Sequence, residues 1–289
     1  MKERGLLYSL RELPMSVLSR TFGVVSHADL PRAFTQPSIR LFAKYFAVDT
    51  DEAERPLSAY RNLAKFLNRR LKTGARVTDR RPGLAVAPVD GRVVSFGRLG
   101  DEAHILVKGT AYSVFDLIGH AAPAATFTGG HWLTIELTPR DAHRVYHPVE
   151  GLLTHSSHSP GHSLQLPWRS SRDMNEVSRV GERLVTLVDS PLGTVATIML
   201  GRFAGGRVAL LGDDKPNRRW RDKDGMIHYA REQRVARGDE LGCTDLGSTV
   251  VILFGGAGLC LETFQPNGQV KVGQVVARQT NVRPAVKLL

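Results

Sequence analysis

The feature that most restricts the fold is the change of residue pattern after Pro82 and Gly83. From that point on, short runs of apolar and β-branched residues alternate with turn sequences, which is typical of β-strands joined by tight turns. Residues 191–193 (PLG) and 266–268 (PNG) have the residue types of hairpin loops. The candidate strands are GRVVSFG, HILVKG, HWLTIELTP, RLVTLVD, GTVATIML, RVALLG, STVVILF, LCLETF and VKVGQVVA.

The pattern before this point is helical. The segment SIRLFAKYFAVD has Ile39, Phe42 and Phe46 on one side of a helix, and AYRNLAKFLNRRLK repeats apolar residues in the same way. We therefore predict an α+β protein in which an N-terminal helical segment is followed by a mostly antiparallel β-sandwich or barrel-like body. The predicted domains are a helical region of residues 1–75 and a β-rich region of residues 76–289.

Composition limits the compartment and the relation to a membrane. The two cysteines, Cys243 and Cys260, are too few for a disulfide framework and lack metal-site spacing, which indicates a reducing compartment. No apolar run approaches the roughly 18 residues of a spanning helix. The N-terminal stretch carries Glu3 and Arg4 and has no apolar core before a cleavage site, so we expect no signal peptide.

The formal net charge of +11 favours an anionic partner, either nucleic acid or an anionic lipid surface. No helix-turn-helix, zinc finger or aromatic-bearing sheet motif is recognisable, so we expect no nucleic acid partner. Between Leu6 and Leu18, apolar residues recur at roughly helical spacing with arginines among them, which suits a basic amphipathic segment in a bilayer interface. Pro14 would kink such a helix, and a helix that covers the core fits the same residues.

Three segments carry residues of types that can take part in catalysis. In residues 86–97 (VAPVDGRVVSFG), Asp90 and Gly91 suit a tight turn before a strand. Residues 135–151 (IELTPRDAHRVYHPVEG) gather two histidines and acidic residues at a strand end, a cluster that is structural about as often as functional. Residues 244–259 (TDLGSTVVILFGGAGL) place a serine at the start of an apolar strand. Each segment alone has a purely structural explanation.

Together, and in this order, the three segments resemble the phosphatidylserine decarboxylase family. That family has an Asp-Gly turn after a proline, then a strand end of the SPRDYHRVH type, then a C-terminal LGST. The segments FAKYFAVDTDEAERPLSAYRNLAKFLNRRLKTGAR, ILVKGTAYSVFDLIG, RGDELG and VKVGQVVA are also similar to the family. The resemblance covers roughly residues 40–280.

The resemblance implies an enzyme that makes its own cofactor by cutting its backbone. Cleavage between Gly247 and Ser248 would give a β chain of residues 1–247 and an α chain of residues 248–289, which stay associated. Ser248 would become a pyruvoyl group, whose ketone condenses with the amine of phosphatidylserine and accepts the electrons released as CO₂ leaves. The product would be phosphatidylethanolamine.

The residues around the cleavage site suit this chemistry. Gly247 has no side chain and allows a strained turn, while Ser248 needs a base to become a nucleophile. Thr249, or backbone N–H groups, could stabilise the oxyanion. By resemblance, Asp90 orients a histidine base that serves Ser248, and a histidine near the ketone donates the proton that replaces CO₂.

One position departs from the family pattern. The family has histidines at both ends of HRVH, whereas this chain reads HRVYHP, with Tyr146 at the second position and His147 one residue later. A shift of one residue in an extended strand turns a side chain to the opposite face, although a strand end or bulge can absorb it. We expect His143 to stand in as the base, with His147 as the other candidate, and His143 and Tyr146 to contact the substrate.

His155, His158 and His162 lie in a histidine-rich stretch without an acidic or cysteine partner nearby in sequence, so we expect no metal. Two alternatives remain open: the same chemistry on another serine-type or amino-acid substrate, and a non-catalytic lipid-binding relative that has lost self-processing. We expect a peripheral protein on the cytoplasmic face of the cell (inner) membrane, bound to anionic phospholipid. A homodimer is left open.

Overall fold

The structure is a computed structural model. It describes residues 26–101, 104–107, 110–119, 122–159, 182–201, 208–210, 219–221, 227–229, 233–244, 248–256 and 258–280. The α-helices are α1 (Arg32–Tyr45), α2 (Leu63–Leu67) and α3 (Val114–Ile118), and two 3₁₀ turns cover Leu57–Ala59 and Ala124–Phe127. The strands are β1 (Leu84–Val86), β2 (Gly91–Arg98), β3 (His104–Val107), β4 (Thr110–Ser113), β5 (His131–Glu136), β6 (Arg144–Tyr146), β7 (Gly151–Ser159), β8 (Arg183–Ser190), β9 (Gly193–Leu200), β10 (Val208–Leu210), β11 (Arg219–Arg221), β12 (Ile227–Tyr229), β13 (Gln233–Val235), β14 (Glu240–Thr244), β15 (Thr249–Phe254), β16 (Leu259–Leu261), β17 (Gln269–Val270) and β18 (Val275–Gln279).

The helices that precede the strands form a small core of their own. Ile39 and Phe42 of α1 are buried against Phe66 of α2, and the rings of Phe42 and Phe66 meet edge-on with centroids 6.5 Å apart. The side chain of Asn62 caps α2 by accepting a hydrogen bond from the Lys65 amide at 2.9 Å. The helical prediction is therefore confirmed for this stretch, while residues 1–25, with the predicted amphipathic segment, lie outside the described residues.

The main sheet has ten strands, with β15 in its interior between β9 and β5. All six residues of β15 are buried and pair antiparallel with both neighbours. Val250, Ile252 and Phe254 join one apolar cluster, whereas Val251 and Leu253 join the other. Because both faces of the strand are covered, its sequence is a continuous apolar run rather than an alternation.

Smaller layers cover the two faces of this sheet. On one face, residues of the sheets β1-β18-β16 and β10-β14-β6 share the cluster of Val250 and Ile252. On the other, the β3-β4 hairpin and α3 pack against Val251 and Leu253. The main sheet is open, with β11 and β17 at its edges in the part of the chain that the structure describes. The predicted α+β fold with a mostly antiparallel, layered body is confirmed.

The two predicted hairpin loops have different outcomes. Residues 191–193 join β8 to β9 in a hairpin, and Gly193 has φ +94°, a conformation that glycine favours. Residues 266–268 form a turn in which the Gly268 amide donates to the Gln265 carbonyl at 2.8 Å. This second turn is not a hairpin, because β16 pairs with β18 while β17 pairs with β2.

Within the described ranges, no helix is both long and apolar enough to cross a membrane.

Candidate active site

Ser248 lies fully buried at the point where the chain enters β15. Its carbonyl accepts a hydrogen bond from the Leu137 amide at 3.2 Å, just beyond the end of β5. The next residue, Thr249, is 1% exposed and pairs with Glu136 on one side and Leu200 on the other. The backbone around the serine is therefore held from both sides, as a reaction that depends on orientation requires. Gly247, the other half of the predicted cleavage site, lies outside the described residues.

Thr249 carries a buried hydroxyl whose Oγ1 has no hydrogen-bond partner among the described residues. A buried polar atom without a partner is uncommon and often marks a site where another group binds. This hydroxyl directly follows Ser248, so it suits a developing oxyanion or a pyruvoyl group formed from that serine. The residues present thus fit the cofactor that the family resemblance implies.

His143 lies between α2 and the three-stranded sheet β10-β14-β6. Its amide donates to the Leu67 carbonyl at 2.9 Å, and its carbonyl accepts from the Thr244 amide at 2.9 Å. The side chain is fully buried, and neither ring nitrogen has a well-formed hydrogen bond within the described part of the chain. Burial, together with the nearby Arg69 guanidinium, lowers the pKa of His143 to about 3. The imidazole is therefore neutral at pH 7, with a weaker affinity for a proton than an exposed histidine has.

Arg69 and Asp141 complete the surroundings of His143. The guanidinium of Arg69 is buried over the Phe66 ring, 5.0 Å from its centroid, and donates to the carbonyls of Arg140 at 2.7 Å and Asp141 at 3.3 Å. The Asp141 carboxylate accepts from the amide and the hydroxyl of Thr138 at 2.8 and 2.6 Å. Burial raises the pKa of Asp141, and the two hydrogen bonds from Thr138 act in the opposite direction by lowering it.

Neither Arg69 nor Asp141 was among the site residues predicted from the sequence. Asp141 belongs to the histidine-rich cluster that was singled out, so its position next to Ala142 and His143 was a usable signal. Arg69 was indistinguishable from Arg70, because both belong to the same basic helical pattern. The fold distinguishes them, because Arg69 is 3% exposed whereas Arg70 lies on the surface.

Asp90 is held by an arginine. Nε of Arg76 lies 2.9 Å from Oδ1 and 3.0 Å from Oδ2 of Asp90, and the Val272 amide donates to Oδ1 at 2.8 Å. Arg76 also binds both carboxylate oxygens of Glu52 at 2.8 Å, which lowers the pKa of Glu52. No hydrogen bond joins Asp90 to a histidine in the described part of the chain. The expected pairing of Asp90 with a histidine base is therefore not among the contacts of this structure.

Tyr146 and His147 face different surroundings. The Tyr146 amide donates to the Pro88 carbonyl at 2.8 Å, and burial, with a contribution from the Asp90 charge, raises the pKa of its phenol. The His147 amide instead donates to the Asp239 carbonyl at 2.8 Å, and burial lowers the pKa of its imidazole to about 4. The Asp90 charge thus contributes to the pKa of Tyr146 and not to that of His147.

A polar cavity of about 110 Å³ lies beside Asp90. Its lining includes Asp90 and Arg76 together with Arg69 and Asp141. The described residues thus include a buried serine, a buried neutral imidazole and a polar cavity beside Asp90, and neither Ser248 nor His143 is among the described residues that line this cavity. No group of three or more potential metal ligands exists in the described ranges, and His158 binds Glu182 at 2.8 Å.

Comparisons with known proteins identify the family of this chain. A family model described as phosphatidylserine decarboxylase matches residues 63–278. The phosphatidylserine decarboxylase proenzyme of Myxococcus xanthus is 34% identical over 255 residues, which cover 88% of this chain and 90% of that protein. The proenzyme of Azotobacter vinelandii is 33% identical over 288 residues, covering 96% of this chain and 99% of the relative. The similarity confirms the resemblance carried by the three sequence segments, and the chain belongs to the phosphatidylserine decarboxylase family.

Proposed function

We propose that this protein is a self-processing, pyruvoyl-dependent decarboxylase that converts phosphatidylserine to phosphatidylethanolamine and CO₂. The observation that carries the proposal is the burial of Ser248 at the start of the interior strand β15, within a family whose named relatives are proenzymes. A serine on an ordinary surface turn would be exposed to water, whereas Ser248 is fully buried and precedes a threonine whose buried hydroxyl has no partner among the described residues.

In the proposed self-cleavage, the Ser248 hydroxyl attacks the carbonyl carbon of Gly247. His143 takes up the hydroxyl proton through a lone pair of its neutral ring and passes it to the amine of residue 248 as the C–N bond breaks. Thr249 Oγ1 donates to the oxyanion, and the amide bond gives way to an ester with a free amine on residue 248. Elimination then transfers the Cα proton of residue 248 to the neutral His143 ring and breaks the Cβ–O bond, which leaves Gly247 with a carboxylate and residue 248 as a dehydroalanine. Water converts this group to pyruvoyl and releases ammonia.

In the proposed decarboxylation, the pyruvoyl ketone supplies an electron sink for the electron pair released with CO₂. His143, as the imidazolium that forms when its ring takes up a proton, then donates that proton to the carbon that has lost CO₂ and becomes neutral again. The fully buried side chains of His143 and Ser248 exclude bulk water from this step. Tyr146, whose raised pKa keeps its phenol protonated, donates a hydrogen bond toward the substrate rather than acting as a base.

Membrane association is proposed for the N-terminal region, residues 1–75, with residues 76–289 as the catalytic domain. On α1, Phe34, Leu41 and Tyr45 are 66%, 69% and 79% exposed and lie seven and four residues apart, so they share one helix face. Arg40 and Lys44 lie on the same helix. An exposed apolar stripe with basic neighbours suits a peripheral contact with an anionic lipid surface, as at the cytoplasmic face of a cell membrane.

Intact mass spectrometry tests the proposal. The native chain should give two species divided between Gly247 and Ser248, the smaller with a terminus that borohydride reduction changes in mass. The Ser248→Ala variant should remain a single folded species of 31.8 kDa without decarboxylase activity. Ser156→Ala is the matched control, because Ser156 is also buried, 2% exposed, yet lies on β7. A single unprocessed native chain that releases no CO₂ from phosphatidylserine would leave the lipid-binding alternative.

A further inference from the structure

A second cavity, of about 330 Å³, lies between the N-terminal helical region and β6. Its volume is within the roughly 300–1,000 Å³ of small-molecule sites. Its polar lining includes Arg55, Tyr60, Lys65, Arg69, Arg70 and Arg144. Arg69 also lines the cavity beside Asp90, so the two cavities share one wall. We call this second cavity the basic pocket.

The charges of the basic pocket are unbalanced. Five cationic side chains line it, against the single carboxylate of Glu54. Glu240 neutralises part of this charge by pairing with Arg70 at 3.3 Å and with Arg144. Arg69 meets only carbonyl oxygens and the Phe66 ring, and Arg55 and Lys65 form no ion pair within the described ranges. The pocket therefore has a surplus of positive charge that favours an anion.

Polar groups of the basic pocket also remain without partners. The Tyr60 hydroxyl has no well-formed hydrogen bond among the described residues, although Tyr60 is only 8% exposed. Nε of Arg69 is likewise buried and unpartnered there. Buried donors without acceptors are costly, so an acceptor that enters the pocket would be stabilised. A phosphate, with several acceptor oxygens and a negative charge, matches guanidinium, ammonium and phenol donors together.

We propose that the basic pocket binds the phosphate of a phospholipid head group. The pocket is built by the same helical region that presents Phe34, Leu41 and Tyr45 to solvent, because α1 packs on α2 and on the 3₁₀ turn Leu57–Ala59. A lipid held by this region would have its head group close to these cations. A soluble phosphate ester offers the same chemistry without the lipid, and the test separates the two sources. The proposal does not require cleavage at Ser248, and its test leaves Arg69, which also lines the cavity beside Asp90, unchanged.

The test compares two double variants of the full-length chain that remove equal charge. Arg55→Gln/Lys65→Gln alters the pocket, whereas Lys72→Gln/Arg80→Gln alters exposed residues outside it. Calorimetry measures binding of inorganic phosphate and glycerophosphoserine, and sedimentation measures binding to phosphatidylcholine vesicles with and without phosphatidylserine. Loss of charge-assisted hydrogen bonds, at about 1.4 kcal/mol or more, should weaken binding of the soluble probes about tenfold in the pocket variant, with little change in the control.

A parallel loss of binding to vesicles that contain phosphatidylserine identifies a lipid as the source of the phosphate. Unchanged vesicle binding, with weakened binding of the soluble probes, identifies a soluble phosphate ester. Equal affinities in the two double variants, or no binding of either soluble probe to the native chain, overturns the proposal. Tyr60→Phe serves as a second variant that keeps charge and shape, and it should weaken phosphate binding severalfold. Repeating the series with Ser248→Ala keeps the result separate from any failure of self-processing.

Discussion

Arg76 binds both oxygens of the Asp90 carboxylate, with Nη2 2.5 Å from Oδ2 and Nε 2.9 Å from Oδ1. The pair is nearly enclosed, since the side chains of Arg76 and Asp90 are 12% and 7% exposed. Glu52 binds the other edge of the same guanidinium. Arg76 therefore joins the Asp90 turn to the N-terminal region, and the two carboxylates can be compared as partners of one cation.

Asp90→Asn should slow self-cleavage sharply, because it removes the negative charge next to Tyr146 and the active-site cavity. Loss of the charged bonds to Arg76 should also lower the free energy of unfolding by about 2 kcal/mol. Glu52→Gln is the matched control, with a similar loss of stability but near-native cleavage. Both rates are measured from the fraction of cut chain over time. Equal slowing in the two variants would mean that Asp90 acts only by stabilising the fold.

His143→Gln should block processing, whereas His147→Gln should leave most of it. The reason is that His143 lies near Arg69 and near Thr138, which follows the residue whose amide binds the Ser248 carbonyl, whereas the His147 amide donates to the Asp239 carbonyl. Gel analysis of freshly expressed protein, with circular dichroism to verify folding, distinguishes the variants. The assignment of the base to His143 is wrong if a folded His143→Gln chain is cut at the native rate.

Tyr146→His should speed self-cleavage, because it restores the histidine of the family pattern at a position that the Asp90 charge influences. A phenol with a raised pKa is a poor base at neutral pH, so Tyr146→Phe should leave the cleavage rate nearly unchanged. Phosphatidylserine turnover by the Phe variant should fall if the phenol contacts the substrate. Cleavage that stops in Tyr146→Phe would instead give the hydroxyl a direct role in processing.

The two buried histidines should make stability depend on pH. The pKa of His143 is about 3 and that of His147 about 4 in the folded chain, against 6.5 for an unperturbed imidazole. Below pH 6.5 the unfolded chain binds protons that the folded chain does not, so the free energy of unfolding falls as pH decreases toward these values. The slope should reach at most about 1.4 kcal/mol per pH unit for each histidine.

Urea unfolding of the uncut Ser248→Ala chain between pH 7 and pH 5 measures this slope. His147→Gln should flatten it, while His104→Gln, which changes an exposed histidine, should leave it as it is. An identical slope in both variants would show that the pH dependence has another origin.

Leu41→Ser/Tyr45→Ser should weaken binding to vesicles that contain phosphatidylserine. These side chains are 69% and 79% exposed on one face of α1, so serine removes apolar area that a bilayer would cover at about 25 cal/mol per Å². Val77→Ser/Leu106→Ser removes exposed apolar area elsewhere and should have little effect. Sedimentation with vesicles gives both affinities. Equal binding of the two variants would locate the membrane contact elsewhere in the protein.

The fold class and the serine strand could be predicted because they depend on local patterns. A β-branched run after a Gly-Ser pair predicts a buried strand, and Thr249–Phe254 is one. Alternation along the chain also predicts that Tyr146 and His147 face opposite sides. Which of the two pKa values the Asp90 charge affects depends on how the segment before Asp90 packs against β6. There the Tyr146 amide donates to the Pro88 carbonyl, a contact that no local pattern encodes.

The partners of Asp90 and the position of Arg69 were not predictable for a related reason. Arg76 lies in a loop of ordinary basic composition, and nothing in its sequence neighbours indicates two acidic partners. Arg69 is buried only because Phe66 and the carbonyls of residues 140 and 141 come together in the fold. Tertiary contacts of this kind decide electrostatics, and they are set by the packing of distant segments.

The interior position of β15 determines what a broken backbone would do to the molecule. Residues 248–280 supply that strand together with β16, β17 and β18, and they pair with β1, β2, β5 and β9 from earlier in the chain. A nick ahead of residue 248 would leave every one of these ladders intact. The two resulting polypeptides would be interwoven rather than docked, would melt in a single transition, and could be separated only by dismantling the whole sheet.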